Sequence, residues 1–123
     1  MTVTTYTLAV LLDLFCLFLG YRFWFQPAPA AAGYGVPADP RGDAGAYLSV
    51  KGLRDGTFGL VGLALLAFAG ARAEAWFMLC VALVPLVDTC IVLRNGGAKA
   101  VAFGIHFATA VVVLISAGLL FAV

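Results

Sequence analysis

The chain is 123 residues long, 64% hydrophobic and only 11% charged, with a net charge of +1. A soluble domain is about half apolar and about a quarter charged, and a small one buries the smallest share of its surface. The composition excludes a soluble enzyme, a disordered chain and a disulfide-stapled secreted module. The charge offers no electrostatic case for nucleic acid.

What remains is an all-α integral membrane protein whose first partner is the lipid bilayer. Four apolar runs, 3–25, 46–71, 73–94 and 98–123, each reach the ~20 residues that a helix needs to cross ~30 Å of hydrocarbon. No alternating period supports a transmembrane barrel. The first run has no Lys or Arg ahead of it and holds an acid inside, so it reads as a retained helix rather than a signal peptide. The connections at 70–74 and at Arg94-Asn95-Gly96-Gly97 are tight and force antiparallel neighbours. The expected architecture is one domain over 1–123, an up-down-up-down four-helix membrane bundle. Loop 26–45 is rich in Pro and Gly and cannot be helical throughout; its length suits a lid or re-entrant cap. Arg22, Arg41, Lys51, Arg54, Arg94 and Lys99 fall on one side and Arg72 alone on the other. That bias puts the long loop on the cytoplasmic face of the cell membrane.

An ionisable side chain at membrane depth costs a few kcal/mol, so each one needs a reason. Asp13 lies near the middle of the first run. Counting 1.5 Å per residue, Asp55 lies about 15 Å into the second, Asp88 about 9 Å and His106 about 13 Å from the Asn-Gly-Gly turn. In an antiparallel bundle the last three share a level and are expected within about 8 Å of a common point, with Arg54 pairing one acid. Helical phase supports this. Lys51, Arg54, Asp55, Phe58, Gly59 and Gly62 form one stripe, as do Lys99, Phe103, His106, Thr109 and Val113, and Asp13, Leu17, Gly20 and Trp24. Gly52 and Gly56 are spaced for close helix packing. Pro85, about one turn before Asp88, leaves the Val81 carbonyl without its helical donor. Glu74 sits at the mouth of the third run.

Two readings compete. The charges are ionic glue between helices, or they line a polar site. Buried pairs seldom add net stability, which favours the site. Cys16, Cys80 and Cys90 read as small buried hydrophobes without zinc spacing. A single His excludes bis-His haem; a divalent metal held by Asp55, Asp88 and His106 is geometrically conceivable, but the spacing matches no known signature, so the expectation is of no metal and no cofactor. Trp24, Phe25, Tyr34, Tyr47 and Trp76 read as interfacial belts, with Tyr47 also placed to face a cavity mouth.

Tyr47-Leu-Ser-Val-Lys51-Gly52-Leu-Arg54-Asp55, the arginine closing the first run, Tyr34-Gly35, Pro85-x-x-Asp88 and His106 resemble an uncharacterised family of small four-span membrane proteins, a domain of unknown function. The resemblance implies fold and membrane location, and no chemistry. By size and by Asp13 alone the chain is also similar to small multidrug-resistance exporters, whose later motifs it lacks; this is analogy only.

The functional expectation is a membrane enzyme doing acid–base chemistry, such as isomerisation, cyclisation or epoxide opening, on a lipophilic small molecule. Asp55 and Asp88 are the expected acid and base, His106 the proton shuttle, and Asp13 a fourth catalytic group. Lys51, Arg54, Arg22, Tyr47, Phe58, Phe103 and Thr109 are the expected substrate contacts. The competing expectations are a proton-coupled carrier, working as a homodimer with Asp13 as exchanging carboxylate, and a ligand-free structural subunit.

Overall fold

The computed structural model describes all of residues 1–123 and is all-α. Helix α1 covers Thr2–Phe25, α2 Pro27–Tyr34 and α3 Ala44–Phe68. Helix α4 covers Ala71–Arg94 and α5 Lys99–Phe121. Helices α1, α4 and α5 are long and apolar enough to cross a membrane. Helix α3 has the length, but Lys51, Arg54 and Asp55 in its first half keep it out of that set.

The surface is inverted relative to a soluble protein. Leu11, Phe18, Leu60, Phe68, Leu83 and Ile115 point outward, while Asp13, Asp55, Glu74, Thr89, His106 and Ser116 are buried. Hydrocarbon as solvent removes the cost of the first group and raises that of the second, so polar side chains turn inward. Cys80 and Cys90 are exposed on this outer surface rather than buried, which costs little when the surroundings are apolar; Cys16 is half-buried, and all three are free.

Small residues set the helix register. A Cβ on Gly20 of α1 would lie 2.7 Å from the Gly56 amide nitrogen and 2.8 Å from the Gly52 carbonyl oxygen of α3. Farther along, Gly59 lies against the backbone of Asp13 and Leu17, and Gly62 against the Asp13 carboxyl. The order of these contacts makes α1 and α3 antiparallel, with backbones close enough to exclude side chains. Gly20→Ala is expected to cost about 1–3 kcal/mol by overpacking. Gly118→Ala, whose Cβ meets nothing within 4 Å inside a helix, should cost nothing and add up to about 1 kcal/mol through helix propensity. Thermal unfolding in detergent separates the two. Helices α4 and α5 also pair antiparallel, since the first half of each faces the second half of the other.

Two irregularities shape the interior. Helix α4 is interrupted at Ala82, between Ala71–Val81 and Leu83–Arg94, where Pro85 has no N–H to offer the Val81 carbonyl. Helix α5 contains a π-helical turn over Ala102–Phe107, a local widening that shifts the phase of everything after it.

Part of the long loop is helical. Pro27 starts α2, where its missing N–H is not needed, and Gly35 ends it at φ +105° in the left-handed conformation. The helix packs on α1 and α3, and Gly35 lies against Val92 and Val101. It therefore closes one end of the interior. The remainder of the loop alternates half-buried Val36, Ala38 and Pro40 with exposed residues, and Arg41 beside Asp39 holds that carboxyl below its usual range by hydrogen bonding.

Candidate functional site

A cavity of about 370 Å³ runs through the interior, within the range of small-molecule sites. Of its 24 lining residues 15 are hydrophobic. The polar ones gather mainly at the end closed by α2.

Three elements build that polar end. The break in α4 is followed by Asp88, the π-turn of α5 presents His106, and the C-terminal turn of α2 delivers Tyr34. The Tyr34 hydroxyl donates to Asp88 Oδ1 at 2.6 Å. His106 Nε2 lies 2.7 Å from the Tyr34 carbonyl oxygen. A carbonyl only accepts, so Nε2 carries the proton and Nδ1 is the position free to exchange. Nδ1 faces Asp88 Oδ2 at 4.0 Å. The Tyr34 and His106 rings stack obliquely, centroids 4.5 Å apart.

A second pair stands beside it. Lys51 Nζ lies 3.0 Å from Asp55 Oδ2, one helical turn away on α3. The ammonium also sits 4.7 Å from the Phe23 ring centroid and 5.1 Å from that of Tyr34, so both ring faces receive its charge. Tyr34 thus touches Asp88, His106 and Lys51 at once.

Of the residues expected from sequence, Asp13, Arg22, Lys51, Asp55, Phe58, Asp88, His106 and Thr109 line this one cavity. Arg54, Tyr47 and Phe103 do not. Arg54 is exposed and Lys51, not Arg54, pairs Asp55, because the 100° step per residue carries Arg54 off the face that Asp55 shares with Lys51. Tyr47 is 75% exposed on the outer face of α3. Lys99 and Phe103 precede or enter the π-turn, which rotates them out of phase with His106, Thr109 and Val113. Trp24, Phe25, Tyr47 and Trp76 are outward, but Tyr34 is no belt residue. Glu74 stands in the first turn of α4, as its place at the start of the third run implied, and is fully buried there. The sequence reading missed Tyr34 and Phe23 as site residues. Tyr34 carried one usable signal, its place between Gly33 and Gly35 at the end of a proline-started helix.

The family model described as Domain of unknown function (DUF4267) matches residues 14–120. The chain belongs to this family. The DUF4267 match takes in Tyr34, Lys51, Asp55, Asp88 and His106, while Asp13 lies one residue before it. No curated relative and no solved structure matches the chain.

Proposed function

We propose that this DUF4267 chain is a multi-pass protein of the cell membrane, a four-helix up-down-up-down bundle whose cavity performs acid–base chemistry on a lipophilic small molecule. The observation that carries the reading is His106. Its Nε2 is tied to a backbone carbonyl, and its Nδ1 is left facing Asp88, both residues lining the cavity. An imidazole held in one tautomer beside a carboxylate is a proton acceptor whose charged form is compensated. His106 Nδ1 removes or returns the proton, Asp88 stabilises the imidazolium, and Tyr34 orients Asp88. Lys51 stabilises developing negative charge on the substrate. Asp55, paired with that ammonium, positions it rather than acting as the acid. Phe58, Thr109 and Arg22 bound the volume where an apolar ligand lies.

Isomerisation moves one proton from carbon to carbon by way of His106, and cyclisation or epoxide opening by a hydroxyl of the same substrate moves that hydroxyl's proton by way of His106 to the carbon or oxygen whose bond is lost, so all three fit such a set. No cofactor enters these steps. The cavity is built by one chain, so the reading needs no second copy. Helix α2 acts as its lid on the cytoplasmic side. With Lys51 and Arg22 assigned to the cavity, Arg41, Arg54, Arg94 and Lys99 still outweigh Arg72 and support that orientation.

The test is comparative mass spectrometry of organic extracts from native-host membranes in which the deleted protein is replaced by wild type or by Asp88→Asn. An apolar product should accumulate with wild type alone, and its isomer or unopened precursor with the variant. Identical profiles for both would remove the enzyme reading.

A further inference from the structure

Away from the Tyr34 cluster, a second pair of ionisable groups is left over. Ala9, one turn from Asp13 on α1, and Ala75, next to Glu74 on α4, pack in one cluster, which brings the Asp13 and Glu74 carboxyls together in the interior. Asp13 is 4% exposed and Glu74 0%. Asp13 Oδ2 and both oxygens of Glu74 have no partner, and neither carboxyl belongs to a salt bridge. Asp13 nevertheless lines the cavity, while Glu74 lies behind it. Along α3, Asp13 sits at the level of Gly62, about 10 Å of helical rise beyond Asp55. The pair is therefore separate from the Lys51–Asp55 ion pair.

We propose that Asp13 and Glu74 form a proton-binding site, with one proton held between the two carboxyls and exchanged with the cavity through Asp13. Two ionised carboxylates in contact, buried and without a cation, would carry both mutual repulsion and a full desolvation penalty. One shared proton removes the repulsion and supplies the hydrogen that two acceptors lack, as in carboxyl dyads generally. No ion pair reaches either carboxyl, and the nearby titratable group on α1 is the Cys16 thiol, one turn beyond Asp13 in the cavity wall. Helix α3 presents Gly59 and Gly62 there, and α4 and α5 meet around Ala75, Met78, Ala117 and Leu120. Ser116, next to Ala117, is a further buried hydroxyl without a partner. The charged groups nearest along the cavity are Lys51 and Asp55, which satisfy each other.

A proton fits better than a metal ion. A hard cation needs about six oxygens, and the two carboxyls offer four, with no third acidic, histidine or cysteine ligand grouped with them. The Asp13 carboxyl is also pressed onto Gly62, where even a methyl group would collide with it, so no space remains on that side for an ion. The site is a one-proton reservoir at the opposite end of the cavity from His106. It stands independently of the proposed reaction, since a ligand at either end can trade a proton with the group nearest it.

Glu74 is the sole glutamate of the chain, which makes the proposal testable without substitution. Cell-free synthesis into liposomes of neutral phosphatidylcholine, with carboxyl-carbon-13 glutamate, labels Glu74 alone. The infrared spectrum at neutral pH should show a protonated-carboxyl C=O band that moves with this label and shifts within minutes in heavy water. Asp13→Asn/Glu74→Gln should remove it, while Asp88→Asn should leave it. Absence of the band in wild type, or a band indifferent to the label, overturns the proposal. Loss of the band on adding sodium or calcium chloride makes the pair a cation site and equally overturns it. A band that does not respond to heavy water refutes exchange through the cavity. An inactive Asp88→Asn with an intact band separates this site from the catalytic reading.

Discussion

His106→Gln and Asp88→Asn are each expected to lower product formation by about 10²- to 10⁴-fold, the usual contribution of a positioned acid or base. Gln keeps an amide N–H within reach of the Tyr34 carbonyl, so the local fold survives while the exchangeable nitrogen is lost. Asn keeps the acceptor for the Tyr34 hydroxyl and loses the charge that compensates an imidazolium. Tyr34→Phe removes one hydrogen bond to a carboxylate, worth about 1.5–3 kcal/mol, and should cost roughly 10- to 100-fold. The three should act on one step, so Tyr34→Phe combined with Asp88→Asn should be little worse than Asp88→Asn alone. Product yield per unit of extracted protein measures this, with a melting curve on each variant. If yield and melting temperature fall together, Tyr34, Asp88 and His106 are structural and the enzyme reading fails.

Lys51→Met should be the most damaging single change to stability. It leaves Asp55, with its side chain only 8% exposed, as an uncompensated charge in the interior. Removing one partner of a buried ion pair costs about 3–5 kcal/mol. The same substitution also withdraws the cation from the faces of Phe23 and Tyr34. Asp55→Asn should cost less, because Lys51 keeps both rings and its side chain is 18% exposed. Lys51→Met/Asp55→Asn should recover most of the loss, as neither charge remains. Unfolding of the four proteins in one detergent closes the cycle. A double variant as unstable as Lys51→Met would show that Lys51 works by packing and not by pairing Asp55.

Hydropathy and spacing alone determined the helical runs. The expected 3–25 is Thr2–Phe25, and 98–123 is Lys99–Phe121. They also marked Asp13, Asp55, Asp88 and His106 as out of place, and Pro85 as a break in its helix. Both are properties of a single segment: apolar length is counted along the chain, and a charge in an apolar run is visible without knowing its neighbours. Partners were not legible in this way. Tyr34 meets Asp88 from 54 residues away and His106 from 72, through contacts that no local period encodes. Lys51 rather than Arg54 took Asp55 because the two stand one turn apart on one face of α3, whereas the Gly20, Gly59 and Gly62 contacts fix how α1 and α3 are rotated and staggered and so set the Asp13 carboxyl against Gly62. The π-turn reset the phase of α5, so a wheel drawn at 100° per residue placed Phe103 with His106 when the folded helix turns it outward. Segment identity is a one-helix property, whereas the site depends on rotation and register between helices, which side-chain packing decides only once the chain has folded.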